Sequence, residues 1–151
     1  MDPLSALAIT RSCLSIASVC GGVIWELKKF IDETKLVGHA INSLHKDVEA
    51  FEKVLSLLKH TVEEPNIKAS IESSAPVARH WGILKSTLDD AETTLNSLSA
   101  TISKVGEDVR ILDSARKHIR LQSASREIKL HQERITSYHR TIDVTLQAAI
   151  L

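Results

Sequence analysis

Apolar side chains recur at steps of three and four along most of the chain, and no segment alternates with period two. The clearest run is Val37, Ile41, Leu44, Val48, Phe51, Leu55, Leu58 and Val62, an unbroken 4-3-4-3-4-3-4 series. That is a heptad seam, with Lys46, Asp47, Glu49, Glu52 and Lys53 on the other faces. Glu64-Pro65 ends it, because a residue before proline is pushed out of the helical region. A second seam follows the same rule through Val77, Trp81, Leu84, Leu88, Ala91, Leu95, Leu98, Ile102 and Val105, with Gly106 as the expected stop. Near the start, Ile9, Cys13, Ile16, Cys20, Val23, Ile24, Leu27, Phe30 and Ile31 form one stripe, and Asp2-Pro3 is a suitable helix start. Near the end, Ile128, Ile135, Tyr138, Ile142, Leu146 and Ala149 form another, with Ser123 or Ser125 as the cap.

These stripes predict four long helices at about 3–33, 35–63, 75–105 and 124–150. Residues 65–75 read as a connection with room for one short helical turn, with Ser73 or Ser74 as a cap before Pro76. Residues 107–123 are poorly periodic and read as a linker that could hold a short helix. The fold class is all-α: an elongated up-down four-helix bundle with room for one extra short helix, each long helix spanning roughly 42–48 Å. The seams could pack within one chain or across two, and the long 107–123 connection would permit exchange of the last helix.

Composition fits this picture. At 151 residues, with 43% hydrophobic and 25% charged residues, the chain reads as a single soluble domain over 1–151. Aromatic residues are only 3%, so the core must be aliphatic. The apolar ending QAAIL suggests the N-terminal part of a longer protein. The net charge of zero argues against a nucleic-acid partner. Charge is uneven, however. Eight basic residues against three acidic ones fall between Arg110 and Arg140. Arg116, Lys117 and Arg120 are either part of a solvated face or a patch for anionic lipid headgroups. Cys13 and Cys20 would lie about 10 Å apart along one helix, too far for a disulfide, which suggests a reducing, cytoplasmic setting.

Sequence chemistry offers no catalytic site. There is no Gly-rich phosphate loop, no Cys-x-x-Cys and no His-Glu-x-x-His. The seven histidines at 39, 45, 60, 80, 118, 131 and 139 read as ordinary surface or flanking residues. No catalytic, cofactor-binding or metal residues are expected, and no small-molecule substrate.

The opening stretch is the informative one. It starts at Asp2 with no basic run, which disfavours a cleaved leader. Leu4–Ile24 is long enough to span a bilayer, but a central Arg11 costs about 2.5–3.5 kcal/mol on insertion. The plain reading is a buried bundle helix. A second state is open to it, because Leu4, Leu7, Leu14 and Val19 lie off the stripe of Ile9 and Ile16. These six residues are the candidate membrane-active set. Gly21 and Gly22 are either a hinge or a place where helices approach closely, since each costs a helix about 1 kcal/mol relative to Ala.

Several stretches together resemble a known group. MDPLSALAIT, WELKKFIDETK, INSLHKDVEAFEKVLSLL and REIKLHQERITSYHRTIDVTLQAAIL resemble the N-terminal domains of fungal NACHT, ankyrin and related signalling proteins. In the last of these, Ile128, Ile135, Tyr138, Ile142, Leu146 and Gln147 carry the likeness. The resemblance spans essentially the whole chain and is to the HeLo-like death-effector group, whose helical-bundle design is similar to the executioner domain of the mixed lineage kinase-like pseudokinase. It implies a role in programmed cell death or heterokaryon incompatibility within a fungal NLR-like protein. It further implies self-association on activation, recruitment to the plasma membrane and permeabilisation by the N-terminal helices. The alternative is a non-lytic helical adaptor or oligomerisation module in the same kind of signalling.

Overall fold

The computed structural model describes residues 5–34, 39–73 and 77–150. They form five helices: α1 (Ala6–Thr34), α2 (His39–Glu63), α3 (Pro65–Glu72), α4 (Val77–Ile111) and α5 (Ser114–Ile150). No strand occurs among the described residues. The molecule is an all-α helical bundle.

Several of the described helix ends have a local cause. Ser5 starts α1: its Oγ accepts the Ala8 N–H at 3.1 Å and its carbonyl accepts that of Ile9 at 3.3 Å. Asp2, Pro3, Val37, Ser74 and Pro76 lie outside the described residues, as do the side chains of Val77 and Ala149. Pro65 opens α3 from an extended Glu64, where a missing N–H costs nothing. Ile71, buried, ties this short helix to the core, and α3 sits against both α2 and α4.

The largest departure from expectation lies between 106 and 123. Gly106 does not stop α4, which runs on to Ile111. The reason is packing. Ile102, Val105 and Val109 are all buried, so the stripe continues beyond the glycine, and this outweighs the roughly 1 kcal/mol that Gly costs inside a helix. The expected linker is mostly helix as well. Asp113 caps α5: its Oδ1 accepts the Arg116 N–H at 2.9 Å and its carbonyl that of Lys117 at 2.8 Å. Ser123 and Ser125 therefore lie inside α5 rather than at its start. The first turns of α5 were unreadable by period because they bury little. Ile119 is exposed, and Leu121 is only partly buried before Ala124 enters the core. Leu112 and Asp113 alone join α4 to α5, so α5 folds straight back onto α4.

Contacts fix the relative directions. Cys13, Leu14 and Ala17 line one groove with Leu55, Ser56 and Lys59, while Phe30 lines another with Ala40 and Ile41, so α1 and α2 are antiparallel. Thr101 bonds Glu127 and Thr94 bonds Tyr138, so α4 and α5 are antiparallel. Between the two hairpins the helices run parallel. Ser15 bonds Glu92 while Phe30 lies by Gly106 on the α1–α4 side. Gln132 bonds Asp47 while His139 meets Phe51 on the α2–α5 side. The neighbours thus form a ring, α1–α2–α5–α4, with α3 carrying the chain from α2 to α4.

The core is the sum of the stripes. Ile9, Cys13, Ile16, Cys20, Val23 and Leu27 of α1 are buried with Leu44, Val48, Phe51, Leu55, Leu58 and Val62 of α2. Trp81, Leu84, Leu88, Ala91, Leu95 and Leu98 of α4 and Ile128, Ile135, Ile142 and Leu146 of α5 pack with them. Apart from the half-buried Ile41, the described members of both heptad seams are buried.

Candidate functional site

The five described candidates of the membrane-active set do not share one surface. Ile9 and Ile16 are fully buried core residues. Val19 is half-buried and packs on the core. Leu7 and Leu14 point outward at 56% and 53% exposure. Leu4 lies outside the described residues. The set therefore divides into an inner stripe that builds the bundle and an outer pair available to solvent.

The outer pair has a third member that periodicity did not single out. Trp25 is 59% exposed, with Lys29 Nζ 5.2 Å from its ring centroid. At about 100° per residue, Leu7, Leu14 and Trp25 fall within about 20° of one another, roughly opposite the core stripe. They form an apolar line about 27 Å long. Arg11, Ser18, Gly21 and Gly22 are the other exposed positions near it, and no acidic residue occurs from Ser5 to Trp25. A search for spacings of seven and eleven on the outer face would have found it. By length and composition α1 is the one helix, among the described residues, apolar enough to cross a membrane.

Gly21 and Gly22 are exposed, and a Cβ built on either meets nothing within 4 Å. That overturns close helix approach as their purpose. The helix is continuous through both.

Arg116, Lys117 and Arg120 sit at the far end of the molecule from Leu7. α1 reaches that end with Phe30, some 23 residues beyond Leu7, or about 35 Å along the helix. Two of the three are already engaged. Arg120 Nε donates to Asp108 Oδ2 at 2.9 Å, tying α5 to α4. Arg116 Nε lies 3.9 Å from Asp113 Oδ2. Lys117 is half-buried.

The remaining reactive groups are inside. Cys13 and Cys20 are free and buried, and burial pushes their thiols up to about 11 and about 12. For Cys13 the Lys59 ammonium opposes that shift in part, and for Cys20 the Glu52 carboxylate adds to it. His131 corrects the surface reading of the histidines. It is 7% exposed, in the core stripe between Ile128 and Ile135. Its place was legible as the missing step of a 4-3-4 series from Ala124 to Ile135. His39, His60, His80 and His118 are exposed; His45 and His139 are half-buried. Among the described residues, no three His, Cys, Asp or Glu side chains are grouped to hold a metal ion. Compared with family models, curated proteins and solved structures, the chain matches none.

Proposed function

We propose that the chain is a non-enzymatic cell-death effector domain of the HeLo-like type, from a fungal NLR-like protein. Its architecture in this reading is an elongated up-down four-helix bundle, with α3 as the extra short helix. It is a cytoplasmic domain that self-associates on activation and is recruited to the plasma membrane, which α1 then permeabilises. The observation that carries this reading is the line of Leu7, Leu14 and Trp25 on an acid-free outer face of an otherwise core-forming helix. Tryptophan favours the membrane–water interface, and nearby Lys and Arg favour an anionic surface. Gly21-Gly22, unconstrained by neighbours, is the hinge in this reading.

The test is dye leakage from anionic liposomes under forced oligomerisation. Removing residues 1–20 is unsuitable, since Ile9, Cys13, Ile16 and Cys20 belong to the core. Leu7→Glu and Leu14→Glu change exposed positions and should leave the fold intact. Leakage by the native chain that is lost in both variants supports the reading. No leakage by the native chain sinks it.

The adaptor reading is favoured by a different observation. Ile9, Ile16, Cys20, Val23 and Leu27 are all fully buried, so α1 leaves the bundle only at the cost of much of the core. Under that reading the bundle stays closed and the outer line of α1 is a contact surface for another bundle.

A further inference from the structure

α5 places Ala124, Ile128, His131, Ile135, Ile142 and Leu146 in the core, so His131 occupies a position that otherwise takes apolar side chains. Neither ring nitrogen has a hydrogen-bond partner among the described residues. The nearest carboxylate, Glu127 Oε1, is 3.9 Å from Nε2, too long for a hydrogen bond. It also accepts a hydrogen bond at 3.0 Å from Thr101 Oγ1 of α4. A neutral imidazole here leaves one donor and one acceptor unmet. A protonated one would bury a charge with two unmet donors, which is far costlier.

We propose that His131 is a proton-operated latch: protonation of its ring releases α5 from α2 and α4. The geometry supplies the asymmetry. On α5 itself, Glu127 favours the charged ring and Arg134 opposes it, and burial outweighs both, holding the ring below the ordinary histidine value. From α2, Asp47 is taken up by Gln132 Nε2 at 2.7 Å. From α4, the group at this level is the uncharged Thr101. The two charges named as acting on the ring, Glu127 and Arg134, both belong to α5 itself. The half-buried histidines each have a closer acid: His45 Nδ1 lies 3.2 Å from Glu49, although its Nε2 is likewise buried without a partner, and His139 Nε2 lies 3.3 Å from Asp143.

The sign follows from linkage. The folded-state value is lower than that of the open chain, so the open form binds the proton more tightly. The closed state keeps its full advantage above about pH 6.5 and loses it as pH falls. One proton taken up on opening raises the opening equilibrium by at most about tenfold per pH unit, from that point down to the lower value of the closed ring.

The test uses the whole chain, with amide hydrogen exchange at pH 7.5 and 5.5 corrected for the intrinsic pH dependence. Peptides covering 124–146 should lose protection in acid, by up to about tenfold between the two pH values. His131→Leu, apolar and of suitable size, should keep that protection at both pH values. Equal α5 protection of the native chain at the two pH values overturns the proposal, and so does the same acid loss in His131→Leu. NMR titration of the native ring stands independently of whether the variant folds. Titration below the ordinary histidine value, in step with loss of α5 amide protection, is expected. Titration at or above that value in a closed bundle overturns the latch.

Discussion

At the residue scale, burial separates neighbouring apolar side chains. Leu14 and Ile16 are two positions apart in one apolar run, yet Leu14 is mostly exposed and Ile16 is fully enclosed. Ile16→Ala should cost about 2–5 kcal/mol, through lost transfer energy and the cavity left behind. Leu14→Ala should lie within about 0.5 kcal/mol of the native chain. Urea denaturation followed by circular dichroism measures both, and comparable losses would contradict this placement. The two thiols give a second check. With thiols raised to about 11 and about 12, the folded chain at pH 8 carries almost no thiolate. Neither cysteine should react with a water-soluble disulfide reagent except through unfolding, whereas both should react promptly in denaturant. Rapid labelling of one thiol in the folded state would show that part of α1 opens on its own. The sequence stripe identified both cysteines as core. It passed over His131 because a polar residue type masks its place in the 4-3 spacing.

At the element scale, helix interiors were readable, and helix ends only where a proline sets them, as at Glu64-Pro65. The seams of α2 and α4 follow directly from the heptad steps, and every described member except the half-buried Ile41 is buried. The ends depend on caps and on tertiary contact, which compete with local propensity. At Gly106 packing prevails over propensity, and at Asp113 a single side chain starts a 37-residue helix. Asp113→Ala should therefore cost about 1 kcal/mol. Gly106→Ala has the opposite sign. Its Cβ would lie 3.6 Å from Phe30 Cδ2, an ordinary contact, so the variant should be more stable by up to about 1 kcal/mol. Gly21→Ala with Gly22→Ala should also stabilise α1, since both Cβ atoms enter open space. If the pair is a hinge for membrane entry, the same double variant lowers liposome leakage while raising the unfolding midpoint. Greater stability with undiminished leakage would remove the hinge.

At the scale of the whole molecule, the ring of neighbours decides what α1 can do. α1 is held between α2 on one side and α4 on the other, in an antiparallel and a parallel contact respectively. The short connection predicted between the first two helices makes the α1–α2 hairpin legible in sequence, whereas the tight α4–α5 turn is hidden by the poor periodicity of 107–123. The sequence does not give the parallel pairing of the hairpins, which depends on α3 carrying the chain across to α4. That arrangement also sets Leu7, at one end of the outer line of α1, far from the basic start of α5. The two readings of function now differ in one physical respect, whether α1 must leave the ring. Ser15 Oγ and Glu92 Oε1 are 2.7 Å apart across the α1–α4 contact. Cysteines in place of both, joined by a short bismaleimide, would tie α1 to α4 on the exposed side, while the buried native thiols stay unlabelled. If α1 enters the bilayer, the tethered chain should lose leakage that the unlabelled double variant retains. If the bundle works closed, tethering should leave self-association intact, and leakage that survives the tether would show that lipid is disturbed without α1 ever leaving.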